Sequence, residues 1–273
     1  MNRTATRDEL DLILSWAAAE GWNPGGEDAA AFHAADPEGF FVAERNGQPV
    51  AAISVVNHDA RHAFLGLYLC LPQWRGQGIG FGLWQHALRH AGGRSIGLDG
   101  VAAQQANYAR SGFVLTGATR RWEGALAALP DPRVREAVGT DLPVLLALDG
   151  HANGVKRDAF LRAWVAPCAT RRTVVLEQDG IRGFATIRRC GQGCKIGPII
   201  APDAALALVL ARAALAVLPA DRAIIDVPEG NRDLTRALEA AGFANSFTTA
   251  RMFRGEAPVT DPSLQAIATM ELG

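Results

Sequence analysis

Residues 64–84 constrain the fold of this 273-residue chain more than any other stretch. The apolar run 64–71 predicts a buried strand, and Pro72 ends it. A turn with glycines at positions 76, 78 and 80 follows, and a helical pattern begins at about Ile79. The first turn of a helix has free N–H groups and a dipole that favours an anion, and glycine lets the backbone approach it closely. This stretch therefore predicts a pyrophosphate-binding turn.

Two common nucleotide-binding motifs do not fit this turn. A P-loop requires G-x-x-x-x-G-K-S/T, and no such string occurs. A dinucleotide-binding turn requires G-x-G-x-x-G, but Phe81 or Leu83, depending on the register, replaces the third glycine. Asp99 still favours a dinucleotide, because it ends the next predicted strand about twenty residues later, where a ribose-binding acid would lie. Dinucleotide binding therefore stays as an alternative.

Two further motifs indicate a known family. The string Gln73–Gly78 fits Q/R-x-x-G-x-G/A, and Tyr108–Phe113 fits Y-x-x-x-G-F. The first is the acyl-CoA pyrophosphate motif of the GNAT N-acetyltransferases, and the chain resembles that family, most strongly over residues 1–128. EGWNPG at Glu20–Gly25 and ARM at Ala250–Met252 are similar to a bacterial subgroup with a second, degenerate GNAT-like half.

A weak internal repeat at an offset of 130–133 residues indicates two copies of one fold. Residues 42–52 parallel residues 175–185, and the Asn-Gly and Asp-Gly pairs within them predict two hairpins. With the proline-rich junction 129–134, the repeat predicts tandem domains at 1–129 and 130–273. By resemblance, each is a mixed α/β domain with a mostly antiparallel sheet flanked by helices, and each is expected to end in a pair of strands.

The second copy lacks the residues that would bind phosphate. The positions aligned with the arginine, the three glycines and the tyrosine of the first copy carry Ala205, Leu206, Leu208, Leu210 and Leu238. Bulky side chains there would block a pyrophosphate, so we expect only the first copy to bind acyl-CoA and the second to serve as a wall, lid or docking surface.

The resemblance implies roles for residues of the first copy. Backbone groups of Tyr68, Cys70 and Leu71 would bind the pantetheine arm and the thioester oxygen. Tyr108 would be the general acid that protonates the leaving thiolate. The pyrophosphate would be bound by Arg75, Gly76, Gln77, Gly78, Ile79 and Gly80.

The general base and the acceptor site are less defined. Asp99 is one candidate base, because its strand should face the cleft, and Glu44 or His58 are alternatives that would act through water. Trp22 and Asn23, in the loop 21–26, are predicted to bind the acceptor. Nine acidic residues and no Lys or Arg lie between positions 8 and 44. They would either attract a cationic amine or form an ordinary solvated face.

Composition excludes several classes of partner. The net charge of −1 gives no argument for nucleic-acid binding. The polar N-terminal residues contain no signal-peptide core, and the apolar run 204–218 is too short to span a bilayer. Four irregularly spaced cysteines make neither a disulfide framework nor a metal site. We therefore expect a cytoplasmic protein without a metal, and its oligomeric state stays open.

Together these features predict an N-acetyltransferase. It would transfer acetyl from acetyl-CoA to the amino group of a small molecule by direct attack, without a covalent enzyme intermediate. The alternative is a non-catalytic module that senses acyl-CoA, and dinucleotide binding is the lesser alternative. The paired presence of Tyr108 and an intact glycine turn favours the enzyme.

Overall fold

A computed structural model describes residues 1–273 and shows one sheet of thirteen strands flanked by helices. The strands are β1 (Asn2–Thr4), β2 (Phe40–Arg45), β3 (Gln48–Asn57), β4 (His62–Cys70), β5 (Ser95–Gly100), β6 (Val114–Gly124), β7 (Val134–Glu136), β8 (Arg171–Glu177), β9 (Ile181–Arg189), β10 (Cys194–Ile200), β11 (Ala223–Pro228), β12 (Ala244–Arg254) and β13 (Leu264–Ala266). The α-helices are α1 (Arg7–Ala19), α2 (Asp28–Ala35), α3 (Ile79–Ala87), α4 (Gln105–Arg110), α5 (Leu142–Asn153), α6 (Asp158–Val165), α7 (Ala204–Val217) and α8 (Arg232–Ala240).

The two predicted hairpins are confirmed. β2 pairs with β3 and β8 pairs with β9, both antiparallel. Asn46 and Gly47 have φ of 52° and 74°, and Asp179 and Gly180 have φ of 51° and 104°. Positive φ at both central positions is the geometry that Asn-Gly and Asp-Gly turns adopt without large strain. The repeated turn chemistry therefore builds the same hairpin in both halves of the chain.

The strands β4 and β5 are paired only at their beginnings. They run parallel, and their pairing extends from His62–Ser95 to Leu65–Leu98. Beyond this point β4 bends at Leu67, which has φ of 47°, and the pairing with β3 shifts register. A gap therefore opens between β4 and β5. In the second half the parallel pairing of β10 and β11 is shorter still.

The last strand of each half lies next to the other half. The strand order at the centre of the sheet is β5-β12-β6-β11, so β12 lies between β5 and β6, and β6 lies between β12 and β11. The expectation that each half ends in its own pair of strands is wrong. One long strand follows α4 and another follows α8, and the two pair with each other. The two predicted sheets thus merge into one.

Two arginine–aspartate pairs related by the repeat hold these exchanged strands. Arg251 on β12 faces Asp99 on β5, and Arg121 on β6 faces Asp226 on β11, each as a direct cross-strand neighbour. Both guanidinium groups bind two carboxylate oxygens, at 3.0 and 2.6 Å in the first pair and at 2.8 Å twice in the second. Such fork-like pairs fix the strand register as well as the charge.

Helices cover both faces of the sheet. In the first half, α3 packs its Leu83 and Trp84 on one face, and α1 and α2 pack Leu10 and Phe32 on the other. In the second half, α7 packs on β8, β9 and β10. The longest helix has 14 residues, and none is long and apolar enough to cross a membrane.

A buried charged cluster joins the N-terminal helices to the second half. Asp28 on α2 accepts hydrogen bonds from Arg171 at 2.7 Å and from Arg188 at 3.2 Å. Both guanidinium groups lie over the ring of Trp164, at 4.3 and 4.5 Å from its centroid. Burial disfavours the carboxylate, but the two arginines outweigh it and lower the pKa of Asp28. The cluster therefore orients the loop before α2 against β8 and β9.

The Arg121–Asp226 pair predicts a large effect on stability. Both side chains are at most 7% exposed, so Asp226→Asn would leave a buried guanidinium without a counter-charge. We expect the free energy of unfolding to fall by about 3–5 kcal/mol, measured by urea denaturation. The control is Glu229→Gln, which breaks a half-exposed pair with Arg120, the neighbour of Arg121 on β6. This variant should lower the free energy of unfolding by no more than about 1 kcal/mol. Equal effects of the two variants would contradict the structural importance of the buried pair.

Candidate active site

A cavity of about 710 Å³ opens from the gap between β4 and β5. Its walls come from both halves of the chain: β4, the glycine turn, β5 and α4 on one side, and β6, β12 and residues 270–271 on the other. Of the predicted site residues, Trp22, Tyr68, Cys70, Arg75, Gly76, Gly78, Ile79, Gly80, Asp99 and Tyr108 line it, whereas Asn23, Leu71 and Gln77 do not.

The glycine turn ends in an uncapped helix. Gly78 is the N-cap of α3, has φ of 74° and provides no side-chain cap. Gly76 has φ of 75°, and a Cβ at either glycine would meet no atom within 4 Å. The free N–H groups of the first turn of α3 therefore face open space beside the cavity. This arrangement suits an anionic group such as a phosphate.

The surroundings of Gly80 and Gln77 differ from those expected for residues that bind a pyrophosphate. A Cβ at Gly80 would lie 2.8 Å from Tyr68 Oη, so this glycine makes room for the tyrosine. Gln77 is exposed and donates from Nε2 to the carbonyl oxygen of Gln73 at 3.1 Å. Arg75 is half exposed, donates from Nε to Cys70 O at 2.8 Å and pairs with Glu20 at 2.5 Å. Its guanidinium lies at the mouth of the cavity.

The backbone of β4 presents unpaired groups to the gap. The Leu71 N–H donates to Val50 O at 3.0 Å, and the Leu71 carbonyl accepts from Trp74 N at 2.9 Å. Leu71 is thus fully occupied and offers nothing to a ligand. Because backbone groups alternate in direction along a strand, the N–H and C=O groups of Tyr68 and Cys70 point to the opposite edge, toward the gap. Of these, the Cys70 carbonyl oxygen already accepts from Arg75 Nε.

Tyr108 lies on α4, and its side chain lines the cavity. Its ring stacks on Trp84 with centroids 5.4 Å apart, and its hydroxyl group lacks a hydrogen-bond partner in the protein. Burial, with a smaller effect from Tyr68, raises the pKa of Tyr108 to about 12. Gly100 on β5 is required here, because a Cβ at that position would lie 2.5 Å from the ring of Tyr108. The phenol is therefore protonated at neutral pH and free to donate.

Asp99 is buried and fully engaged. Its carboxylate accepts from Arg251 and, at 3.2 Å each, from the hydroxyl groups of Thr119 and Thr249. Burial raises its pKa, against the opposing effect of Arg251. Its counterpart in the repeat, Asp226, makes the same kind of pair far from the glycine turn. Because both aspartates make this contact, we assign Asp99 a structural role: it joins the exchanged strands.

The two alternative bases lie outside the cavity. Glu44 pairs with Arg3 at 2.7 Å. His58 is half-buried, its Nε2 lies 2.8 Å from Leu272 O, and desolvation of its ring lowers its pKa to about 4. Neither side chain lines the cavity. The structure therefore does not bring either of them to the predicted chemistry.

The loop 21–26 is held by the second half of the chain. The carbonyl oxygen of Trp22 accepts from Lys195 Nζ at 2.9 Å, and Asn23 exchanges two hydrogen bonds with the backbone of Gln192. Trp22 consequently lines the cavity, whereas Asn23 anchors the loop. Most of the acidic residues between positions 8 and 44 form ion pairs, so they do not act as a free negative surface: Glu9, Asp11, Glu20, Asp28, Asp36 and Glu44.

The equivalent region of the second half is closed. Helix α7 has a side-chain cap, because Asp203 accepts from the N–H of Leu206 at 2.8 Å. Leu210 is buried in the core, and Leu206 and Leu208 pack against it. β13 pairs with β10, and Ile267 N donates to Asp226 O at 3.0 Å, so residues 264–267 lie in the space between β10 and β11. No open gap like that between β4 and β5 is left there.

Several cavity residues escaped the sequence analysis. They come from the second half or from the exchanged strands: Arg121, Glu123, Ser246, Phe247, Thr249, Met270 and Glu271. One signal was present in the repeat. Gly66 and Gly197 are 131 residues apart, and both lie against the segment 264–273. A Cβ at Gly66 would collide with the carbonyl oxygen of Glu271, and a Cβ at Gly197 with that of Ile267. The paired glycines mark where this segment crosses both halves.

Comparison with known proteins agrees with this architecture. Residues 7–113 match the Acetyltransferase (GNAT) family, and residues 145–267 match an Acetyltransferase (GNAT) domain. The chain is 34% identical over 277 residues to holothin acyltransferase of Pseudoalteromonas sp. (strain SANK 73390), covering 100% of this chain and 94% of that protein.

Solved structures share the fold. A protein of Pyrococcus horikoshii assigned to the acetyltransferases superposes with a TM-score of 0.83 at 21% identity, over 100% of this chain and 95% of that one. A tandem GNAT protein from the clavulanic acid biosynthesis pathway gives 0.63 at 14% identity, over 96% and 99% of the two chains. A GCN5-related N-acetyltransferase from Sphaerobacter thermophilus gives 0.62 at 14% identity, over 97% and 98%.

The contrast between α3 and α7 predicts one acyl-CoA site per chain. We expect isothermal titration with acetyl-CoA to give a stoichiometry near one, and Gly78→Val to abolish binding, because the added side chain would occupy the open space at the N-terminus of α3. The matched control is Gly180→Val, which also places valine at a positive φ but in the β8–β9 turn. Two equivalent sites, or equal loss of binding in the control, would refute the assignment.

Proposed function

Since the chain belongs to the GNAT acetyltransferase family, we propose that it transfers an acetyl group from acetyl-CoA to the amino group of a small molecule. One observation carries this proposal: the uncapped N-terminus of α3, the open edge of β4 and the free hydroxyl of Tyr108 all face the same cavity. A relative described as holothin acyltransferase supports acyl transfer as the reaction class.

The binding step follows from the geometry of the turn and β4. The N–H groups at the start of α3 bind the pyrophosphate, and Arg75 exchanges its half-exposed pair with Glu20 for a phosphate oxygen. The backbone groups of Tyr68 and the N–H of Cys70 hold the pantetheine arm along β4. This extended contact places the thioester where β4 and β5 separate, next to Gly66 and Leu67.

The chemical step requires a donor for the thioester oxygen and one for the sulfur. A backbone N–H of β4 near the bend at Leu67 stabilises the developing oxyanion, an effect worth about 3–4 kcal/mol per donor in other enzymes. Tyr108 donates a hydrogen bond to the sulfur as it leaves. The pKa of Tyr108, about 12, lies well above that of a thiol. The phenol therefore stabilises the thiolate as a hydrogen-bond donor and is itself protonated at the end of the step. The attacking amine reaches the carbonyl carbon from the side of Trp22.

The function is tested by thiol release from acetyl-CoA in the presence of a panel of primary amines, with mass spectrometry of the acetylated product. Turnover with formation of an amide supports the proposal. Tight binding of acetyl-CoA without turnover of any amine would favour the sensing module instead. Stabilisation by NAD but not by acetyl-CoA in a thermal shift assay would favour a dinucleotide.

Tyr108→Phe should reduce turnover far more than it weakens acetyl-CoA binding. The phenol acts only as the sulfur leaves, so its loss raises the barrier and not the energy of the bound ground state. We expect kcat to fall by about 10²–10⁴-fold, while the ring still stacks on Trp84. Tyr68→Phe is the matched control, since its hydroxyl lines the same cavity. If the Tyr108 variant turned over at the wild-type rate while the chemical step was rate-limiting, Tyr108 would have only a packing role.

A further inference from the structure

Four carboxylates line the cavity, and three of them are neutralised. Glu20 pairs with Arg75, Asp99 with Arg251, and Glu123 with Arg222. Glu271 forms no salt bridge. Its side-chain hydrogen bond comes from the hydroxyl of Thr269, two residues earlier in the same segment. Glu271 is therefore the one carboxylate of the cavity lining that has no direct ion pair.

Glu271 also lies at the point where the strands separate. Its carbonyl oxygen packs directly against the Cα of Gly66, which follows the last residue of β4 paired with β5. The residue is only 7% exposed, so solvent reaches it chiefly through the cavity. The acetyl carbon is expected next to Gly66. The backbone of Glu271 therefore lies beside the place where the acetyl group is expected, and this residue lines the same cavity.

Three cationic side chains lie near this carboxylate. Arg121, Arg188 and Lys195 all interact with its charge through space. None of them is available to an incoming ligand, because Arg121 is bound to Asp226, Arg188 to Asp28, and Lys195 donates to Trp22 O. They provide a positive background without occupying the carboxylate oxygens by a direct ion pair.

The acceptor side also has an apolar part. Trp22, Phe247 and Met270 line it, and the Arg121 guanidinium closes it from behind, 6.0 Å from the Phe247 centroid and 3.7 Å from Met270 Sδ. A polycation would need several free carboxylates, and the cavity has only one. The lining fits one amino group attached to an apolar or aromatic body.

We infer, on the basis of the proposed function, that Glu271 binds and deprotonates the amino group of a small apolar monoamine. The ammonium form of the acceptor binds the carboxylate, and one proton moves from nitrogen to Glu271. The free amine attacks the thioester carbon, a C–N bond forms, and the C–S bond breaks. The sulfur leaves as a thiolate hydrogen-bonded by Tyr108. The nitrogen loses its second proton to solvent, the thiolate takes up one proton from solvent, and Glu271 then releases its proton, so the net products are the amide, the free thiol and one proton.

The test compares Glu271→Gln with Glu123→Gln, a carboxylate of the same cavity that is already paired. Thiol release from acetyl-CoA is measured with phenethylamine and with spermidine as probe acceptors. We expect Glu271→Gln to lower kcat/KM for phenethylamine by about 10²–10⁴-fold, and Glu123→Gln to lower it by less than about tenfold. Wild type should prefer phenethylamine to spermidine.

Further measurements separate catalysis from folding. Both variants should bind acetyl-CoA with the wild-type Kd and keep the wild-type thermal midpoint, and Thr269→Val, which removes the hydrogen bond to the carboxylate, should reduce kcat more mildly. Wild-type activity in Glu271→Gln, or a preference for spermidine, would overturn this inference alone. An inactive wild type that binds acetyl-CoA would instead remove the proposed function, and this inference with it.

Discussion

The exchange of β6 and β12 between the two halves depends on two bidentate arginine–aspartate pairs, of which Arg121–Asp226 is buried on both sides, and the cavity depends on the exchange. Asp99–Arg251 and Asp226–Arg121 occupy equivalent places in the repeat, each joining a strand of one half to a strand of the other. A bidentate pair that is buried tolerates neither a shift in register nor the loss of one partner. The central strands therefore cannot separate into two independent sheets.

The exchange gives the cavity two unlike walls. The wall from the first half supplies backbone groups: the uncapped N-terminus of α3 and the open edge of β4. The opposite wall supplies side chains from β6, β12 and the segment 264–273, among them Phe247, Met270 and Glu271. In the proposed function, the backbone wall binds the invariant pyrophosphate and pantetheine, and the side-chain wall binds the acceptor. The second half thus takes part in the site although it lacks a glycine turn of its own.

The two copies of the repeat differ at the start of one helix, which is α3 in the first half and α7 in the second. In the first half, Gly76 and Gly78 adopt positive φ and leave the N–H groups of α3 uncapped. In the second half, Asp203 caps α7 and leucine side chains fill the core beside it. Segment 264–267 then pairs with β10 and occupies the space that stays open between β4 and β5. The open helix start of one half is replaced by internal packing in the other.

The sequence by itself determined the local features. The glycine turn, both hairpins and the GNAT resemblance all rest on residues close together in the chain, where glycine, proline and hydrophobic periodicity act directly. Tertiary structure alone decided which strands became neighbours, because β6 and β12 carry the same pattern and would fit beside either half. It therefore also decided that Asp99 joins strands, that Asn23 anchors a loop and that Glu271, 163 residues from Tyr108 by number, lines the same cavity. Ion pairing and burial depend on partners from distant segments, and a single sequence does not name those partners.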